Sequence, residues 1–437
     1  MTKRRVLFGC LGVAAVLAAL VLWKAPADLG HSRFFADQTY DFETVRAQTD
    51  VAPAGGDTAE IAQAVAGVRA GDAEGWRAGW QAEGDRAMAL AARTQDPIGK
   101  GDALLRAHTY YRSAAFFLAP GDSRQPALWK QNLGAFDAGL QALGVAYQRL
   151  AIPFGANHLN AIYYPGPADA AARPLLMVVG GYDSTMEELY FSVAEAALRH
   201  GYAVLTYEGP GQGAVLREQG LTMRPDWEKP NGAVLDAFLV SHPKPDKIVL
   251  IGESLGGYLA PRAAAFDARI DGVVAYDVFY DGFAIAARHV PPFAFWLRAH
   301  GYKRTLKFLG GLNTDPGSNW AQTNGEWVFG VSDPMDVLDA FKAYRLAPVA
   351  SQIRADVLIL AGAADHFVPA DQMPAFQKSL TQAHSVTSVM FDAASGGAEH
   401  CQLGAPSLWQ ATLFDWLAAK FPVESHGAAA ARTLPPR

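Results

Sequence analysis

The feature that most constrains this chain is the apolar run Ile248-Val249-Leu250-Ile251, which passes directly into Gly252-Glu253-Ser254-Leu255-Gly256-Gly257 and then a helical stretch. Four consecutive apolar residues suit a strand buried on both faces, as in a parallel sheet covered by helices. Glycines at G-x-S-x-G spacing permit a strand-to-helix turn so sharp that side chains there would strike the backbone. Such a turn lifts Ser254 clear of the sheet edge. A glycine-rich turn without chemistry would lack the strand before it and the helix after it.

The rest of the chain extends the pattern. Short β-rich runs at 175–179, 203–207, 248–251, 272–275 and 357–360 alternate with helical stretches, which predicts the α/β class with a mostly parallel, doubly wound sheet. Before Tyr147 the texture is helical: Leu104, Ala107, Tyr111, Ala114 and Leu118 fall on one helix face, and Trp76 and Trp80 begin another. No titratable cluster suggests chemistry there, and the aromatic stripes read as core. Between 283 and 348 an aromatic-rich insert with Phe293, Phe295, Trp296, Trp320 and Trp327 interrupts the alternation and reads as a helical lid. The expected organisation is an N-terminal segment over 1–30, a helical cap over 31–145, a catalytic domain over 146–425, and a disordered tail over 426–437. A chain of 437 residues exceeds the usual size of one domain, which agrees with a large core plus an accessory unit.

Lys and Arg number 37 against 43 Asp and Glu, so no basic excess invites nucleic acid. Cys10 and Cys401 are too few and too far apart for a disulfide framework. Lys3, Arg4 and Arg5 precede an uncharged apolar run at 6–23 whose 18 residues are long for a signal-peptide core and suit a spanning helix. The expectation is a membrane anchor with the body outside the cytoplasm, periplasmic in a bacterium. Cleavage near Ala25-Pro26-Ala27, giving a secreted protein, is the alternative.

A serine hydroxyl needs a base, and the base needs an acid that fixes its tautomer and stabilises its cation. In chains with such an elbow the order is serine, acid, histidine. Val357-Leu358-Ile359-Leu360 leads to Asp365 just beyond a strand end, which makes Asp365 the acid and leaves Asp277 and Asp281 as rivals. The loop Gly396-Gly397-Ala398-Glu399 delivers His400 as the base. His366 is too close in sequence to Asp365, and His384 precedes the last strand. An oxyanion needs two backbone N–H groups, assigned to Leu255 and, in Gly180-Gly181-Tyr182, to Tyr182. Gly209-Pro210-Gly211-Gln212-Gly213 lacks the ending of a phosphate loop and reads as a turn. No metal-ligand spacing or nucleotide fingerprint is present, so neither metal nor cofactor is expected.

GGYDSTMEELYF, YEGPGQG, RPDWE, GESLGGY, GAADHFVP and GAEHCQLGA, with GWRAGW and HTYYRSAAFF upstream, together resemble one branch of the α/β-hydrolases. It is the branch of 2,6-dihydroxypseudooxynicotine hydrolase and the fungal polyketide-shortening hydrolases, and the likeness runs from about residue 71 to 421. The resemblance implies an α/β-hydrolase fold under an N-terminal helical cap, with the triad at Ser254, Asp365 and His400. It implies hydrolysis of carbon-carbon bonds beside a ketone, or of esters. The chain departs from that pattern at Asp183, where the nicotine-pathway enzyme carries glutamate. Asp183 is a candidate for substrate binding or a loop-capping carboxylate. The expected substrate is a small carbonyl compound, apolar or aromatic as the lid suggests, with a homodimer also compatible. Amide hydrolysis and a non-catalytic, membrane-tethered binding protein are the competing readings.

Overall fold

The computed structural model describes residues 33–166, 173–310 and 312–423. Eight strands form one sheet: β1 Gln148–Phe154, β2 Asn157–Tyr164, β3 Leu175–Val179, β4 Ala203–Glu208, β5 Ile248–Glu253, β6 Gly272–Tyr276, β7 Asp356–Gly362 and β8 Ser385–Phe391. Their order is β1-β2-β4-β3-β5-β6-β7-β8. Strands β3 to β8 are parallel, while β1 and β2 form an antiparallel hairpin joined antiparallel to β4. The sheet is thus the expected α/β one, extended by a hairpin absent from the expected strands. Of the two, β2 lies between β1 and β4 and buries Leu159, Ala161, Ile162 and Tyr164, whereas β1 is the edge strand, where a proline such as Pro153 is tolerated and only Ile152 is buried. Its apolar signal is correspondingly weak.

Why the central strands are apolar throughout is visible in their packing. Met177, Leu205, Leu250, Val273 and Ile359 point to one face, against Tyr258, Leu259 and Phe376. Their neighbours Leu176, Val204, Val249, Val274 and Leu358 point to the other, against Trp409, Leu413 and Leu417. Each residue meets a covered face, so alternation with polar residues disappears.

Among the described residues, five helices lie ahead of the sheet: α1 Gln38–Thr49, α2 Thr58–Val65, α3 Ala73–Arg93, α4 Pro97–Ala115 and α5 Gln125–Ala142. Asp37, Asp57, Asp72 and Asp96 cap the first four by accepting from first-turn N–H groups. Trp76, Trp80, Tyr110, Tyr111 and Ala114 close a separate aromatic core among them. Between β6 and β7 the chain forms the helices Gly282–Ala287, Pro292–Ala299, Lys303–Gly310, Pro316–Phe329 and Pro334–Ala340.

The expectation of membrane anchoring, with a transmembrane helix and a body outside the cytoplasm, is corrected here. No helix among the described residues is long and apolar enough to cross a membrane. The longest of them, α3, carries Glu74, Arg77, Glu83, Asp85, Arg86 and Arg93, and hydrocarbon does not accept so many charges. The apolar run at 6–23 and the tail at 426–437, to which two expectations referred, lie outside the described residues.

Candidate active site

Strand β5 is followed directly by Ser254, whose φ of 60° is a left-handed conformation seldom adopted by residues with a Cβ. The flanking glycines make the turn sterically possible. A Cβ on Gly252 would collide with the carbonyl oxygen of Gly256, and one on Gly257 with that of Asp277. The serine therefore stands above the carboxyl end of the sheet, where open α/β sheets place their ligands.

His400 follows β8 and meets the serine there. Its Nε2 lies 2.8 Å from Ser254 Oγ, and its Nδ1 lies 2.7 Å from Asp365 Oδ2. The other oxygen of Asp365 accepts the N–H groups of Phe367 and Val368, both at 2.7 Å, which fixes the carboxylate in its loop. Burial lowers the pKa of His400 below the usual imidazole value, so the ring is a neutral acceptor at neutral pH. Burial raises Asp365 to about 6, leaving it ionised at neutral pH.

The rivals occupy other places. Asp281 caps the helix Gly282–Ala287 and pairs with Arg345 at 3.1 Å. His384 pairs with Asp356 at 3.0 Å on the surface, and His366 Nδ1 pairs with Glu399 at 2.7 Å. Asp277 is different: fully buried, it stands 3.5 Å from His400 Nδ1. It accepts from Cys401 N at 2.7 Å and from Gln402 Nε2 at 3.1 Å, and it is hydrogen-bonded to Asp365. Burial and the charge of Asp365 push its pKa well above the carboxylate range. The direction of these shifts favours the protonated form of Asp277 beside an ionised Asp365.

The loop after β3 lies against the elbow. A Cβ on Gly181 would sit 2.8 Å from Ser254 Cβ and 2.9 Å from Leu255 N, closer than any side chain could approach. No hydrogen bond occupies the N–H of Leu255 or of Tyr182 among the described residues. The Tyr182 ring turns toward the insert, its hydroxyl donating to Ala321 O at 3.0 Å.

Asp183 gives its carboxylate to Arg46 of α1 at 2.6 Å, and Arg46 also holds Glu188 through Nε and Nη2 at 2.6 and 2.7 Å. Burial alone would raise Glu188, but Arg112 and Arg46 outweigh it and hold the carboxyl at about 2. Glu43 and Asp50, less well paired, are raised by burial to about 7 and about 8. A buried charge network therefore joins the helical region to the loop beside Ser254. The helical sequence contains these groups, but their partners lie 137 and 142 residues away, and nothing local announces them.

Aromatic rings surround the site from three directions. Phe42 of α1 is 6.1 Å from the His400 ring and Phe367 is 5.1 Å from it. Phe116, just past α4, stacks on Trp320 of the insert at 4.7 Å, and Trp320 meets Tyr182 edge-on at 6.2 Å. Of the other aromatics singled out in the insert, Trp296 is 55% exposed, and Trp327 faces Arg217 at 5.0 Å. Two groups could in principle hold a metal, Asp277-His400-Cys401 and Asp365-His366-Glu399. In the first, both His400 nitrogens are engaged, with Asp365 and Ser254, and Asp277 accepts from Cys401 N and Gln402; in the second, His366 Nδ1 pairs with Glu399 while its Nε2 has no partner.

A family model described as the alpha/beta hydrolase family matches residues 175–406. The chain is similar to hydrolase acrC of Aspergillus aculeatus, at 31% identity over 90% of this chain and 99% of that protein. It is equally similar to 20-hydroxy-prefusarin hydrolase FUS2 of Gibberella moniliformis, at 31% identity over 90% of this chain and 99% of that one. Its fold resembles the crystal structure of 2,6-dihydroxy-pseudo-oxynicotine hydrolase, with a TM-score of 0.67, 20% identity, and coverage of 86% of this chain and 95% of the other. Similarity that covers 90% of the chain, rather than the elbow alone, establishes that this chain is an enzyme of the alpha/beta hydrolase family.

Proposed function

We propose that the protein hydrolyses a small carbonyl compound by acyl transfer through Ser254. The observation that carries this reading is the unbroken hydrogen-bond line from Asp365 through His400 to Ser254, at 2.7 and 2.8 Å. His400 Nε2 takes the hydroxyl proton as Ser254 Oγ attacks the carbonyl, and Asp365 stabilises the imidazolium. The oxyanion accepts from the N–H groups of Leu255 and Tyr182. His400 then returns the proton to the leaving group, and water repeats the sequence to release the acid. With a ketone flanked by a second carbonyl, the leaving group is an enolate carbon; with an ester, it is an alcohol.

The rings of Phe42, Phe116, Tyr182, Trp320 and Phe367 favour an apolar or aromatic acyl partner. The helices between β6 and β7 act as the lid over it. A panel pairing aryl β-diketones with matched aryl esters tests the proposal, using the wild type and Ser254→Ala, Asp365→Ala and His400→Ala. Diketone turnover lost in all three variants assigns a carbon-carbon hydrolase, and ester-only turnover with the same losses assigns a carboxylesterase. Activity that survives Ser254→Ala refutes the site.

A further inference from the structure

A donor that stabilises an oxyanion must be aimed before the substrate arrives. The loop Gly180-Gly181-Tyr182 has little stiffness of its own, because two consecutive glycines let either peptide plane rotate. The turn that follows β4 supplies the missing restraint. Gln212 in that turn is buried, with 2% exposure. Its Nε2 donates to Gly180 O at 2.7 Å and to Gly181 O at 3.0 Å, while its Oε1 accepts from Gly209 N at 3.0 Å. Both amide hydrogens are thus committed to consecutive carbonyls of one loop.

The direction of those bonds fixes the direction of the next N–H. The Gly181–Tyr182 peptide is trans, so the N–H of Tyr182 points opposite to the carbonyl of Gly181. With that carbonyl held toward Gln212, the N–H of Tyr182 faces away from it. Gly181, whose Cα lies against Ser254 and Leu255 N, carries the peptide to the elbow. We propose that Gln212 is a positioning residue that holds the Tyr182 N–H on the oxyanion. This inference rests on the assignment of Ser254 and Tyr182 made above. Without the amide, two buried carbonyls lose their donor, and a peptide rotation that restores their solvation turns the N–H away.

Gln212→Glu is the sharpest test, since it keeps the length and the oxygen that receives Gly209 N–H and replaces only the donor nitrogen. Gln212→Met, neutral and without donors, controls for charge and for any failure of the first variant to fold. Losing an oxyanion donor outright costs about 10²- to 10³-fold in kcat, and a misaimed one part of that. The expected result is a kcat for the best panel substrate reduced about 10- to 100-fold with KM changed less than about threefold. Affinity for an aryl trifluoromethyl ketone, whose serine adduct carries the oxyanion, should fall in proportion to kcat/KM. A role in packing alone would lower Tm without that proportionality. A folded variant with kcat within about twofold of wild type, or with KM raised and kcat unchanged, overturns the proposal. If Ser254→Ala is inactive while both Gln212 variants behave as wild type, only the role of Gln212 falls. If Ser254→Ala remains active, the reading of the site falls first.

Discussion

Asp365→Asn and Asp277→Asn, made separately, divide the labour of the two carboxyls that crowd His400. Asp365 is the ionised partner, bonded directly to Nδ1 at 2.7 Å. Its amide replacement removes the charge that stabilises the imidazolium and can donate to Nδ1, which favours the wrong tautomer. By analogy with the serine-protease triad, the loss in kcat is on the order of 10⁴-fold, about 5.5 kcal/mol of transition-state stabilisation. Burial and the charge of Asp365 favour the neutral form of Asp277, so an amide is close to it in shape and charge. The amide oxygen can still accept from Cys401 N, and its NH2 would face Gln402 Nε2. Gln402 can relieve that clash by turning its amide, because its Oε1 has no partner. What remains is a modest shift in the histidine loop, worth about tenfold, or about 1.4 kcal/mol. Steady-state kinetics at pH 8 with the panel substrate, beside thermal melts to confirm folding, gives both numbers. Equal losses in the two variants, or a larger loss for Asp277→Asn, would refute the assignment of proton and charge and would make Asp277 the acid.

Three further outcomes follow from the same electrostatics. Because burial lowers His400 and raises Asp365 only to about 6, the acid limb of kcat/KM should lie near pH 6 or below, with activity lost as pH falls through it; a limb at 7 or above contradicts the neutral, buried ring. Arg46→Met strands the carboxylates of Asp183 and Glu188 and should destabilise the fold by about 3–5 kcal/mol by urea titration, whereas a change below about 1 kcal/mol would mean that the network is dispensable. Asp50 is held protonated by burial, with its pKa raised from 3.8 to about 8, so the folded form retains a proton that the unfolded chain releases and stability falls as pH rises across that window. Four units at about 1.4 kcal/mol each set a ceiling of about 6 kcal/mol, which local relaxation reduces, and Asp50→Asn should flatten the decline of urea midpoint from pH 4 to 8; parallel curves for variant and wild type would dismiss it.

What could be read from the chain depended on how local each signal was. The strands β3 to β8 declared themselves because burial on both faces forces short, continuous apolar runs, and the elbow at Ser254 because its glycines are sterically obligatory. In the hairpin, β1 escaped because an edge strand needs few apolar residues, and β2 because Asn157, His158 and Asn160 interrupt its apolar residues. Asp365 and His400 were chosen by chain order and by their places after strand ends, a rule that cannot reveal that Asp277 lies 3.5 Å from the same ring. Asp183 was legible as a polar group near the serine, but its ion pair with Arg46 was not. Phe42, Phe116 and Arg46 reach the site only through the docking of helices onto the sheet. The apolar run at 6–23 suggested a membrane, and no described helix supports one.

The bidentate grip of Arg46 on Glu188, with Asp183 on its remaining nitrogen, also bears on how such enzymes can be recombined. A cap borrowed from a relative would bring its own side chain to that spot. Unless that residue were also a cation, the graft would bury two orphaned carboxylates, one of them next to Tyr182. Chimaeras that exchange the α1 segment together with the stretch after β3 should therefore survive where exchanges of either piece alone do not. The exchangeable unit in this architecture is defined by charge neutrality, not by where the helices stop and the sheet begins.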